Sequence, residues 1–537
     1  MLWGVGAVAW ACGGFMCDAA QPVEQAGEEV IFSVDESAQQ VTMHVRVAYQ
    51  GPAEEFGWVI PVKGTPDVFL SHEALFAVVD QLTAPLYFTV TDFGDCSQAP
   101  AFASSTGGDF STATADSGSD PSVWVLDRDT VGAYETVTLG ATDTTALVAW
   151  LQENDYDVPS SLDQALAPYL ANGMNFLALR LRSSGDVGEL APLALRYEGT
   201  TPGIPLTLTA VAAAPDMPIT VYLLGDARAV PLNTLHTVLN PLAIDYWSFG
   251  ANLDDVIAAA ADEAGGHGFA TLAATRSPGW FGPTAGDLDL SGLADLADPA
   301  DFLRALADRG VPFDQRLIDA LFDVLPVPEG YPGGAAAYYA AVTSGEVTPE
   351  GAFDPVAAVE ALEEQLVKPL ADAEALVAGA SWLTRLRSSI SPEEMTIDPT
   401  FAFNADLPEV SATQTVTVEA DCTGTNGDPF ESPQVLRYPE GLIIRAPSPE
   451  ELAVMGMSLF EWVSSNTEHP TLRIEQLGPS GPPEVVVDHA GELFLGDASE
   501  VGEGAVTGGG GCGCATGGVG GGVALALAGL LAVRRRR

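Results

Sequence analysis

From Val30 onward, hydrophobic and polar positions alternate. Val30, Phe32 and Val34 fall on one face; Val41, Met43, Val45 and Val47 repeat the pattern, with Thr42, His44 and Arg46 opposite. A period of two marks half-buried strands. Phe56-Gly-Trp-Val-Ile-Pro61 reads as a third strand that ends at proline. Leu75, Val78, Val79 and Leu82 share one helical face, which predicts a helix over 72–82 with Ser71 as its N-cap. Residues 97–120 are rich in Ser, Thr, Ala, Gly and Asp and read as a loop or linker. Further strands are predicted at 123–126, 134–139, 176–182, 193–197, 205–212 and 219–224. Helices are predicted from Asp143, as cap, through Gln152, and over 162–172.

The pattern then changes. Segments 253–264, 301–309, 314–325, 335–342 and 354–386 carry helical spacing and abundant alanine. After Asp398 the alternation returns at 415–418, 436–445, 471–474 and 485–487, with a helix opening at Pro449. The fold class expected is therefore α+β. A β-rich N-terminal domain (12–248) of sandwich-like sheets with short helices precedes a helical segment (249–395) and a β-rich late segment (396–495). A Gly/Glu-rich spacer (496–511) and a tail (512–537) follow. No period of 20 to 50 residues points to a repeat array.

Composition adds compartment and partners. The 537 residues include 21 Lys+Arg against 73 Asp+Glu, a formal net charge of −52, and 47% are hydrophobic. That hydrophobic share suits packed cores. So negative a field repels phosphate, which excludes nucleic acid as a partner and favours basic proteins and divalent cations. The only lysines are Lys63 and Lys368. A phosphate-cradling P-loop needs lysine after glycine, and neither follows one.

The ends suggest export. Leu2–Ala11 is apolar and closes on Ala9-Trp-Ala11 before Cys12, which suits a signal-peptide remnant (1–11) whose true start lies upstream; a buried first strand is the alternative. Residues 515–533 carry no charge and would span about 28 Å as a helix, close to a bilayer core. Arg534, Arg535, Arg536 and Arg537 close the chain, and by the positive-inside rule they stay cytoplasmic. A floppy Gly-rich tail is the alternative. Cys12, Cys17, Cys96 and Cys422 remain for the exported part, enough for two disulfides with three possible connectivities. The pairs favoured are Cys12–Cys17, flanking the flexible Gly13-Gly14, and Cys96–Cys422. A loop as long as the second is worth on the order of 5 kcal/mol.

Two resemblances follow. Gly508-Gly-Gly-Gly-Cys512-Gly-Cys514, a short apolar span and the arginine cluster resemble the MYXO-CTERM sorting tail of myxobacterial surface proteins. This implies a single C-terminal transmembrane or sorting helix, a processing protease as partner and delivery to the cell surface. Residues 11–422 resemble the bacterial domain of unknown function 2330. The matching stretches are Cys12-Gly-Gly-Phe-Met-Cys17, Phe56–Pro61, Trp150-Leu-Gln-Glu-Asn-Asp-Tyr156, Leu223-Leu-Gly-Asp-Ala-Arg-Ala-Val-Pro231, Leu383-Thr-Arg-Leu386 and Ser391-Pro-Glu-Glu-Met-Thr-Ile-Asp398-Pro. That family implies an exported, cysteine-bearing envelope protein and brings no established activity, catalytic residue or cofactor.

Local chemistry is sparse. Asp287, Asp289, Ser291, Asp295 and Asp298 stand at positions one, three, five, nine and twelve of an EF-hand-like spacing, with Gly292 at six. Oxygen ligands around a glycine turn suit calcium, the one cofactor the sequence suggests. A loop that merely caps the next helix is the alternative. The histidines are His44, His72, His236, His267, His469 and His489, and no metalloprotease spacing links them. Each reads as a surface or core residue, His267 in its glycine loop being the least ordinary. Arg228 reads as a partner of Asp226 or an anion contact. No Gly-x-Ser-x-Gly elbow occurs, so an ordinary α/β-hydrolase is disfavoured. The sequence therefore favours a surface-anchored structural or binding protein of the cell envelope with an extracellular partner. The alternatives are a secreted, calcium-stabilised hydrolase with a nonlocal site and a calcium-dependent adhesin.

Overall fold

A computed structural model describes residues 24–50, 57–92, 123–132, 134–156, 158, 162–181, 191–276, 288–422 and 428–491, apart from 312, 314, 329, 350 and 466. Short strand pieces at 15–16, 53–54, 114–115 and 117–118 complete it. The protein is mixed α+β, with several sheets and short helices.

A ten-stranded sheet forms the spine. From one edge its strands are Glu484–Asp488, Thr471–Gln476, Leu235–Leu239, Gly268–Arg276, Trp382–Ile390, Met217–Gly225, Glu24–Asp35, Gln40–Gln50, Leu193–Glu198 and Asp67–Leu70. Two neighbouring pairs are parallel, Met217–Gly225 with Glu24–Asp35 and Leu235–Leu239 with Gly268–Arg276, and the rest are antiparallel. The period of two explains the layering. Val30, Phe32, Val221 and Leu223 point to one face, where Trp58, Ile60, Leu177 and Leu179 of a five-stranded sheet meet them in a shared core. Ile31, Tyr222 and Leu224 point to the other face, onto helices Glu73–Thr83 and Lys368–Ala378 through Phe76, Val79 and Val377. The five-stranded sheet repeats this logic. Its outward Val59, Phe176 and Ala178 bury Leu147, Trp150 and Leu166 of helices Thr144–Glu153 and Leu162–Ala171.

The ten-stranded sheet cuts across the expected boundaries at 249 and 395. Gly268–Arg276 and Trp382–Ile390 lie inside the stretch read as helical, yet they pair antiparallel at the sheet's centre. Between them, helices Pro299–Asp308, Gln315–Leu321, Gly334–Ser344 and Pro355–Leu362 form an insertion around Phe302, Leu306, Tyr339 and Leu362. Thr471–Gln476, from the late segment, joins the same sheet. A third sheet of four strands couples Leu86–Asp92 in parallel to Thr413–Ala420.

Other departures have local causes. Residues 205–212 contain helix Leu206–Thr209 rather than a strand, because the Asp398 carboxylate, far along the chain, accepts the Thr207 N–H at 2.8 Å and satisfies the turn. The N-cap of Glu73–Thr83 is His72, not Ser71, whose hydroxyl bonds His44 Nδ1 at 2.8 Å instead. Pro61 lies within its strand Gly57–Val62 rather than at its end. Among the described residues no helix is long and apolar enough to cross a membrane, and 512–537 lie outside them.

Candidate functional site

The edge of the ten-stranded sheet gathers three of the six histidines, His236, His469 and His489, with two glutamates into two clusters. Strand Thr471–Gln476 serves both clusters. It pairs with Leu235–Leu239 on one side and Glu484–Asp488 on the other, and a bulge places Leu472 as an extra residue between Thr471 and Arg473. Bulges re-aim neighbouring side chains.

The first cluster is sealed. His236 Nδ1 lies 3.1 Å from Glu475 Oε2 and its Nε2 lies 3.0 Å from Thr271 Oγ1. Arg228 donates to Thr271 Oγ1 at 3.3 Å and to the Pro408 carbonyl at 3.2 Å, and Arg473 Nε donates to Glu475 Oε1 at 3.0 Å. Burial holds the His236 imidazole below its ordinary value, and Arg228 and Arg473 add to this against the opposing pull of Glu475. At Glu475 burial works upward, but the His236 and Arg473 contacts outweigh it and hold the carboxyl below its usual range. The cluster is thus a neutral imidazole between a carboxylate and a hydroxyl, flanked by two guanidinium groups.

The second cluster is open to solvent. Helix Leu253–Glu263 stops as the chain turns through Gly265 and Gly266, both left-handed (φ 70° and 74°), and Gly266 N–H returns to the Ala261 carbonyl at 2.8 Å. Glu263 is thereby the last residue of the helix. His469 precedes strand Thr471–Gln476 and His489 follows strand Glu484–Asp488, so the two-stranded pairing brings both imidazoles to one end. Their rings stack at 3.7 Å with planes 6° apart. His469 Nδ1 is 2.9 Å and His489 Nε2 is 3.2 Å from the same oxygen, Glu263 Oε1. The other oxygen, Oε2, accepts the Thr471 hydroxyl at 2.5 Å and the Thr471 N–H at 3.3 Å. Burial works to raise the Glu263 pKa, but these hydrogen bonds and the neighbouring imidazoles win and hold it low. Backbone bonds pin the frame: Asn240 Nδ2 to the His469 carbonyl (2.9 Å), Asn240 N to the Pro470 carbonyl (2.8 Å) and His489 N to the Leu472 carbonyl (3.0 Å).

The residues singled out in the sequence lie elsewhere. Asp298 caps helix Pro299–Asp308 by accepting the Ala300 and Asp301 N–H groups, and Asp289 accepts the Ser291 N–H at 2.9 Å. Asp295 lies in a short 3-10 turn, and Arg309 donates to the carbonyls of Asp289 and Ser291. Asp287 lies outside the described residues, as do Cys12, Cys17, Cys96, Cys512, Cys514 and Arg534–Arg537. Cys422 is disulfide-bonded. His267 Nε2 meets Thr396 Oγ1 at 2.9 Å. Asp226 accepts from Ser381 Oγ at 3.2 Å, and Arg228 turns inward to Thr271 rather than to Asp226. Sequence reading missed both clusters, since their members lie 206 and 239 residues apart and form no local motif.

A family model described as an uncharacterized protein conserved in bacteria (DUF2330) matches residues 6–402. The chain belongs to this family. No curated protein and no solved structure matches it. Glu263, His236 and Thr271 of this DUF2330 protein lie within the matched span, whereas Glu475, His469 and His489 lie beyond it.

Proposed function

We propose that this DUF2330 protein is exported, delivered to the cell surface by its C-terminal sorting tail, and acts there as a structural or binding protein of the envelope. The disulfide at Cys422 carries the reading, because disulfides persist in oxidising compartments. Strand register supports Cys96 as its partner: Leu86–Asp92 and Thr413–Ala420 run parallel with Asp92 opposite Glu419, so both cysteines follow matching strand ends. The MYXO-CTERM-like tail and the net charge of −52 fit a protein that faces solvent outside the membrane. Intact and peptide mass spectrometry of the native protein from fractionated cells tests this. The expected species starts near Cys12, ends near Cys512 and contains Cys96–Cys422. An unprocessed cytoplasmic chain with free thiols overturns it.

One observation favours the hydrolase reading. Thr271, His236 and Glu475 form a hydroxyl–imidazole–carboxylate chain of the kind that activates nucleophiles. It is the second choice because Thr271 Oγ1 also takes an Arg228 N–H, and the His236 and Glu475 side chains are only 6% and 7% exposed. Saturable ester or peptide turnover lost in Thr271→Ala would make it the first.

A further inference from the structure

Glu263, His469 and His489 are the one group of three potential metal ligands that converges among the described residues, their donor atoms all lying within 4.8 Å of one another. We propose that these three side chains bind one divalent transition-metal ion of the zinc type. The site is independent of whether the chain is exported.

Four observations carry the proposal. First, two ring nitrogens lie close to a single oxygen, Glu263 Oε1, at 2.9 and 3.2 Å. Without an ion, His469 Nδ1 hydrogen-bonds to the carboxylate and His489 Nε2 lies beside the same oxygen. With an ion there, each imidazole presents a lone pair from the same nitrogen and carries its proton on the other, so both rings stay neutral. Second, the donor set is two imidazoles and one carboxylate. Nitrogen donors select zinc and its transition-metal neighbours over calcium or magnesium, and three protein ligands leave a fourth position for water. The ligand side chains remain 30%, 12% and 22% exposed for His469, His489 and Glu263, so water can reach that position.

Third, the surroundings hold the ligands in place. The Thr471 hydroxyl and N–H fix the carboxylate, and the Asn240 and Leu472 backbone contacts fix the carriers of both rings. Ligating carboxylates in metal sites are held in this way by outer partners. Fourth, the field favours a cation. Glu263 ends its helix, where the backbone carbonyls concentrate partial negative charge. The chain's net charge of −52 also enriches divalent cations near its surface. An ion here would tie the helix end to the sheet's outermost strand pair, which lies beyond the family-matched span.

The acidic surface also gathers cations without specificity, so the test uses competition. Full-length protein is stripped with chelator and dialysed against zinc in a large excess of magnesium. The expected result is a single zinc retained per chain, lost in His469→Ala and in His489→Ala, and weakened about 10- to 100-fold in Thr471→Val, which removes only the outer hydroxyl. A wild-type chain that keeps no zinc over magnesium overturns the proposal. So do folded histidine variants that keep as much zinc as wild type. A measurement on the wild type alone covers the case in which variants fail to fold. Zinc should protect His469 and His489, but not the exposed His72, from carbethoxylation read by peptide mass spectrometry. Equal labelling of His469 and His489 with and without zinc overturns the assignment and directs the ion elsewhere, to the cysteines first.

Discussion

His236 and Glu475 lie 3.1 Å apart with side chains 6% and 7% exposed, whereas His469 and Glu263 lie 2.9 Å apart with 30% and 22% exposed. Both pairs hang on one strand, Thr471–Gln476, and both join an imidazole to a carboxylate. Their surroundings separate them. In the sealed cluster every polar neighbour on the histidine is protein: Glu475 on one nitrogen and Thr271 on the other. In the open cluster two imidazoles share one carboxylate oxygen. Burial turns the first pair into a lock between strands and leaves the second able to exchange partners with solvent or an ion. A buried charge stranded without its partner is expensive, while an exposed one is rehydrated at little cost.

The largest expected effect comes from breaking the lock. Glu475→Ala removes the carboxylate that faces His236 and Arg473 and whose charge offsets that of Arg228. Two guanidinium groups then crowd an imidazole already held neutral by burial. Loss of one partner of a buried pair costs about 3–5 kcal/mol. Urea unfolding of the variant should show that loss in its midpoint. A change under about 1 kcal/mol would mean that Glu475 is solvated and that the two clusters are alike.

A histidine on the far side of the same sheet gives the pH dependence of burial a scale. His44, bonded to Ser71 and edge-on to Phe69, is pushed down to about 4 from 6.5 by burial, with His72 and Arg196 adding repulsion. A depressed histidine protonates first in the unfolded chain. Its contribution is therefore complete above pH 6.5 and drains away as pH falls toward 4. The loss approaches about 3 kcal/mol. Glu28 works against it. Burial lifts its carboxyl from 4.5 to about 7 despite the Gln25 hydrogen bond, so its contribution falls as pH rises across that window. In a Glu28→Gln background, stability should drop steeply from pH 6.5 to 4, and His44→Gln should flatten part of that slope. His236 drives the same trend. An unflattened slope would assign the acid sensitivity to other groups.

Much of the scaffold behind these clusters was legible from spacing. Val30, Phe32, Val41, Met43 and Val45 do face one core, as their alternation requires. Asp143 does cap its helix, accepting the Ala146 N–H at 2.8 Å. Strand Gly268–Arg276 was not legible. Its Ala270, Ala273 and Ala274 weaken any β signal, yet they are small because the strand is covered on both faces and sits at a bulge. The 354–386 stretch reads as one helix because Leu and Ala recur at helical spacing through Ala378. The strand from Trp382 is fixed only by its distant partners, Met217–Gly225 and Gly268–Arg276. The clusters were hidden for the same reason. Strand pairing, not local spacing, brings Glu475 to His236 and His489 to His469.

The smallest effect sharpens the contrast most. Without added metal, His489→Ala removes a neighbouring imidazole from a carboxylate that keeps His469 and both Thr471 donors. The imidazole is partly exposed, and the carboxylate can recruit water in its place. The expected loss is under about 1 kcal/mol. Adding zinc should separate the two proteins. Wild type gains stability with the logarithm of free zinc over its dissociation constant, while His489→Ala gains almost none. Thermal unfolding at a series of zinc concentrations, with magnesium held in excess, reads both terms in one experiment. A large loss in the metal-free variant would instead make the stacked histidines a lock like the sealed cluster. Parallel zinc responses in the two proteins would remove His489 from the ion's coordination.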